Sequence, residues 1–253
     1  MKGACLGIFI AGMAANAHAA GRLADVQVID RETGGALPMY RSHGEFWVAG
    51  RPGVRYSIVI QNHRSERLLA VTAVDGVNVI SGETGAWGQS GYVFDPGERY
   101  EISGWRKSNT EIADFNFTSA GSSYAARTGR PANVGVIGVA LFLERPAPPP
   151  RIDYYDPLSR NSHGSKDEVT VDSARAAPAE KLGTGHGARE YSYVQNTTFD
   201  RQSSTPNEVV KIRYDSYENL VAMGVVPSRP AWQPANPFPD SVLPKYVPDP
   251  PGG

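Results

Sequence analysis

The sequence predicts an all-β protein, an antiparallel β-sandwich of the immunoglobulin-like kind, with a closed barrel as the alternative. Three observations carry this. Apolar and polar residues alternate with period two through several short runs, which is the strand signature. Turn residues punctuate those runs. Gly (27) and Pro (20) are abundant among 253 residues, which suits turns and extended chain better than helices.

The chain begins MKGACLGIFIAGMAANAHAA. Lys2 supplies a short positive start, an apolar stretch follows from Ala4, and small residues alternate near Ala17 and Ala19. This is the layout of a secretory signal peptide, residues 1–19, cut after Ala19. The apolar run is short for a membrane anchor. Loss of the leader removes Lys2 and the sole cysteine, Cys5, leaving 24 basic against 26 acidic residues. Without cysteine the exported chain must be held by a hydrophobic core, and thiol catalysis and cysteine metal sites are excluded.

The sandwich domain is expected over 25–145, with seven or eight strands. Tyr56, Ile58 and Ile60 alternate with Ser57, Val59 and Gln61; Tyr100 and Ile102 alternate with Arg99, Glu101 and Ser103; Phe115 and Phe117 flank Asn116. Each such strand should turn one face to a core and one to water. Val74-Asp75-Gly76-Val77 reads as a tight hairpin and Asp95-Pro96-Gly97-Glu98 as a type II turn. The run from Val134 to Glu144 is apolar on both faces and should be a central strand.

Residues 146–182 open with Pro146-Ala147-Pro148-Pro149-Pro150 and then lack large aliphatics, predicting a proline-rich, disordered linker. A small α+β cluster is expected at 183–226. Val210, Ile212 and Tyr214 alternate in one strand, Tyr191, Tyr193 and Phe199 mark another, and a short helix is capped at Asp215 or Ser216 and ended by Gly224. About 40 residues fold poorly alone, so this cluster should dock on the sandwich or on a partner. Nine prolines in 227–253 predict an extended tail.

Four strings, 81–108 (SGETGAWGQSGYVFDPGERYEISGWRKS), 123–142 (SYAARTGRPANVGVIGVALF), 182–190 (LGTGHGARE) and 208–226 (EVVKIRYDSYENLVAMGVV), together resemble a family of exported proteobacterial proteins whose function is unassigned. The resemblance implies a bacterial envelope location. It carries no catalytic residues to these positions.

Candidate binding residues come from loops. The GTGHG string at 183–187 could present His186 and bare amides to an anion, or be a flexible exit from the linker. Trp105 and Arg106 place an aromatic plane beside a cation, the chemistry that holds a carboxylate or phosphate; the alternative buries Trp105 and leaves Arg106 in water. The loop 123–131 carries Arg127. If Trp87, Tyr92, Trp105 and Arg127 gather at one end, that end is the ligand or partner surface.

Enzyme templates do not fit. GQSG (88–91) lacks the nucleophile-elbow spacing, and His43, His63, His163 and His186 lack metal-pair spacing. No catalytic set, metal or other cofactor is expected. The near-neutral charge argues against nucleic acid. The first expectation is a non-enzymatic envelope module whose partner is another envelope protein or a surface polymer. The alternatives are a periplasmic hydrolase or lyase using Glu83 and His186 as acid and base, and a small-ligand carrier built on the Trp105/Arg106 loop.

Overall fold

The computed structural model describes residues 19–146 and 181–227. Residues 1–18 of the expected leader, 147–180 of the expected linker and 228–253 of the expected tail lie outside the described residues; Leu182, placed at the end of the linker, instead opens a strand. The rest is built mainly of β-strands, in two sheets with no closed barrel. Among the described residues, no helix is long and apolar enough to cross a membrane.

The first sheet runs β1 (Ala24–Asp30), β4 (Arg55–Asn62), β10 (Glu111–Ser119), β12 (Leu182–Tyr191), with β8 (Arg99–Ile102) on β4 and β9 (Gly104–Arg106) on β10. The second runs β2 (Met39–Ser42), β3 (Glu45–Gly50), β13 (Glu208–Ser216), β11 (Val136–Leu143), β5 (Leu68–Val74), β6 (Val77–Asn78), with β7 (Tyr92–Phe94) also on β5. All pairings are antiparallel except β3 with β13. Eleven strands therefore fall between residues 24 and 143, more than the seven or eight expected. The additional ones have two to four residues, too few to show alternation.

Side chains of both sheets meet in one core. Tyr56 of β4 stacks on Phe117 at 4.3 Å between ring centroids and reaches Tyr214 of β13 at 6.4 Å. Strand β11 is central, flanked by β5 and β13, as its two-faced apolarity requires. Strand β4 departs from the expected half-exposed pattern, since Ser57 and Val59 are buried as fully as Tyr56 and Ile58.

The segment expected to be a docking cluster supplies two strands to the sheets. β12 pairs with β10 over nearly its whole length, and β13 lies between β3 and β11. Its apolar residues Val210, Ile212 and Tyr214 thus enter the common core. A strand with one such face cannot stay solvated, and insertion into a sheet satisfies its backbone groups as well. The short helix α2 (Tyr217–Ala222) follows, capped by the Ser216 hydroxyl accepting from Asn219 N–H, with Leu220 buried and Gly224 at φ +70°.

The GTGHG string is neither an exit loop nor an amide nest: it lies within β12. Its glycines serve close approach. A Cβ on Gly183 would fall 2.6 Å from the Ser123 Cβ, one on Gly185 2.5 Å from the Asn116 Oδ1, and one on Gly187 2.2 Å from an Asp114 carboxylate oxygen. Ser123 and Val134 lie over Gly183, while Asn116 and Asp114 belong to the neighbouring β10.

The Asp75-Gly76 hairpin forms as expected, with Asp75 at φ +52° and Gly76 at +72°. Asp75 itself is fully buried. Its Oδ1 accepts from Gly135 N–H (2.9 Å) and the Tyr214 hydroxyl (2.6 Å), and its Oδ2 accepts from Thr184 N–H (2.8 Å). Thr184 Oγ1 lies 2.7 Å from the Tyr214 hydroxyl and 2.6 Å from that of Tyr56. Each hydroxyl has one proton. Because that of Tyr214 goes to Asp75, Thr184 donates to Tyr214 and Tyr56 donates to Thr184. Burial raises both phenols well above their ordinary value, so they remain donors. One carboxylate thereby ties the β5–β6 hairpin to β11, β12 and β13.

Candidate functional site

A cavity of about 630 Å³ opens between β7, β8 and β9 on one side and residues 192–201 on the other. That segment leaves β12 after Tyr191 and crosses from the first sheet to the second without regular strand pairing. It replaces the second strand expected around Tyr191, Tyr193 and Phe199. Its ends are fastened by the backbone. Ser192 N–H and Val194 N–H donate to Thr110 and Asn109 carbonyls, while Gln202 N–H donates to that of Leu143. Arg67 donates to Glu144 and to the Thr198 carbonyl.

Two arginines hold the walls. Arg106 donates from Nε (3.3 Å) and Nη2 (3.1 Å) to the Tyr92 hydroxyl, and from Nη1 to the Ser192 carbonyl at 2.5 Å. Further bonds reach Ser192 Oγ and the Ser108 carbonyl. A guanidinium has five N–H groups, so Arg106 is saturated. It clasps the crossing segment to β7. Arg201 donates to the Trp87 carbonyl (2.5 Å) and the Gln89 carbonyl (2.6 Å), with its guanidinium 4.4 Å from the Phe142 ring centroid. Among the described residues, neither arginine has a carboxylate within ion-pair distance. Burial alone pulls the Arg201 pKa down.

Aromatic and amide side chains complete the lining. Tyr92 and Tyr100 lie with centroids 5.5 Å apart. Tyr193, 54 % exposed, and Phe199 come from the crossing segment, and Asn109, Gln195 and Asn196 supply amides. The Tyr92 phenol is raised by burial, against the pull of Arg106. Its oxygen already accepts from Arg106, so its proton is left to donate elsewhere. Glu98 is the one carboxylate of the lining, and one of its oxygens caps the Asp95 N–H at 2.7 Å.

Of the residues singled out from sequence, Tyr92 and Arg106 meet in this cleft. Trp105 does not join them. It is 2 % exposed, packs edge-on to Phe115 at 5.2 Å and donates its indole N–H to the Gly185 carbonyl. Adjacent positions of a strand face opposite ways, so the residue that places Arg106 at the cleft must send Trp105 inward. Trp87 is exposed on the loop before β7, where its carbonyl, not its ring, meets Arg201. Trp87 also borders a small apolar depression with Val209 over β5 and β11.

Arg127 and His186 lie elsewhere, with Lys107. The His186 ring stacks on Tyr124 at 5.7 Å, and the Lys107 ammonium lies 5.8 Å from the Tyr124 ring centroid. Tyr124 and Arg127 begin and end the single-turn helix α1 (Tyr124–Arg127). Burial first, then Lys107, Arg189 and Arg127, lower the His186 pKa. Glu83 accepts from Gln89 Nε2, and neither it nor His186 lines the cleft. Sequence reasoning missed Asn109, Gln195 and Arg201 as lining residues. For Gln195 the only signal is a polar, aromatic stretch without alternation, YSYVQNTTF at 191–199; Asn109 and Arg201 lie outside it and carry none.

Among the described residues, no group of three or more His, Cys, Asp or Glu side chains is placed to hold a metal ion. Comparison with known proteins finds no matching family model, no matching curated protein and no matching solved structure.

Proposed function

We propose that this protein is an exported envelope module that binds, rather than transforms, its ligand, and that binding takes place in the cleft behind residues 192–201. The observation that carries this reading is the cleft itself. Its volume of about 630 Å³ falls in the range of small-ligand sites, and its aromatic walls and convergent amides are the usual means of orientation. The expectation of export rests on the leader-like start, and the resemblance to exported proteobacterial proteins supports the envelope as its place of action. An immunoglobulin-like sandwich is the architecture this reading carries, supported by two facing sheets with non-sequential strand order.

Filling the cleft tests the reading. Asn109 is exposed at the cleft wall, where its backbone carbonyl receives Val194 N–H. In Asn109→Trp the indole would occupy the cavity while that bond persists. A thermal-shift screen of oligosaccharides, organic acids and short peptides should give wild-type ligands whose shift is lost in Asn109→Trp, since binding to the native state raises the melting temperature. Ligands that stabilise both proteins equally would place binding elsewhere and overturn the cleft as the site.

A further inference from the structure

We infer that the cleft ligand is an acidic carbohydrate, a chain of uronic-acid sugars whose carboxylate is received by Arg201. This rests on the cleft being the binding site. A half-buried guanidinium ordinarily recovers its lost hydration from a carboxylate. Arg201 has two carbonyls, at 2.5 and 2.6 Å, and the Phe142 ring, but no acidic partner among the described residues. Two of its five N–H groups are used there, leaving donors free to a bidentate acceptor. Its position is set by the loop carbonyls and the ring before any ligand arrives, so little ordering is required on binding.

The other lining groups suit a sugar better than a small inorganic ion. Tyr193 presents an exposed ring, which can lie against the apolar C–H face of a pyranose. Gln195 donates to the Tyr193 hydroxyl at 3.1 Å, bracing that ring from its polar end. Asn109 and Asn196 offer paired donors and acceptors of the kind vicinal hydroxyls satisfy. Arg106 is saturated and contributes position through Tyr92, whose own proton remains to donate to a sugar oxygen.

Isothermal titration of the wild-type chain with tetragalacturonate and with its fully methyl-esterified form separates charge from sugar. The acid should bind at least about tenfold more tightly than the ester, and Arg201→Gln should bring the ratio of the two affinities to about one, whatever the loss of its wall bonds does to both ligands alike. Arg201→Lys retains a point charge without the fork and should keep part of the advantage. Tyr193→Ala should weaken both ligands alike. Thermal melting of each variant guards against loss of the fold. If acid and ester bind equally, or if Arg201→Gln leaves their ratio intact, the acidic class is wrong while the cleft stands. Binding indifferent to Tyr193→Ala and Asn109→Trp would remove the cleft as well. No binding of either sugar overturns the inference outright.

Discussion

At position 75 the fold demands a carboxylate where no water reaches. Burial raises the Asp75 pKa above its ordinary 3.8, and the hydrogen bonds from Tyr214, Thr184, Gly135 and Val136 work against that shift. The native state therefore holds this proton more tightly than the unfolded chain. Its contribution to stability falls as pH rises from about 3.8 through the raised native value. Asp75→Asn removes the titration and sets an amide N–H₂ or a lone oxygen against donors, costing about 1–3 kcal/mol. Urea denaturation across pH 3 to 7 should show a lower midpoint for the variant and a flatter pH dependence; an unchanged slope would mean Asp75 does not titrate there. Glycines give a second test at this scale. Gly187→Ala meets the Asp114 carboxylate at 2.2 Å, whereas Gly88→Ala meets nothing within 4 Å. The first should cost about 1–3 kcal/mol and the second remain within about half a kcal/mol of wild type. Equal stability of the two variants would restore the flexible-loop view of 183–187.

Among elements, the crossing segment 192–201 has the least regular hydrogen bonding near the cleft, and its conformation depends on a few clasps. Arg67 is paired to Glu144 through two guanidinium nitrogens and also holds the Thr198 carbonyl. Both side chains are about a quarter to a third exposed, so the pair is worth only about 1 kcal/mol. Arg67→Met should therefore leave global stability almost unchanged while raising amide exchange at 196–200, because local opening is governed by local contacts. Exchange that rises equally in β11 would show the segment opening only with the whole fold. Strands at this scale were legible in sequence where they alternate, as in β13 and β8, and illegible where they are short. β12 was illegible for another reason: glycine in a strand is usually unfavourable, and here the close approach of Asn116 and Asp114 outweighs that penalty.

For the molecule as a whole, β13 between β3 and β11 makes the second half of the chain part of the first half's core. A chain ending at residue 146 would lack Val210, Ile212 and Tyr214 and leave Asp75 without Thr184 and Tyr214. Near-ultraviolet circular dichroism should show no fixed aromatic environment for that truncation; a native-like spectrum would make 25–145 an independent sandwich. The sequence by itself determined the β class, the Asp75-Gly76 turn, the centrality of β11 and a short helix capped at Asp215 or Ser216, of which the structure uses Ser216, because alternation, turn chemistry and capping are local. It also brought Tyr92 and Arg106 forward as binding residues. Only the tertiary structure decided that Trp105 faces inward, that β12 and β13 enter the sheets, and that Arg201 joins Arg106 across a cleft. Those outcomes depend on strand pairing between residues more than sixty positions apart, and the energy that selects such a pairing resides in the packed core rather than in any short stretch of chain.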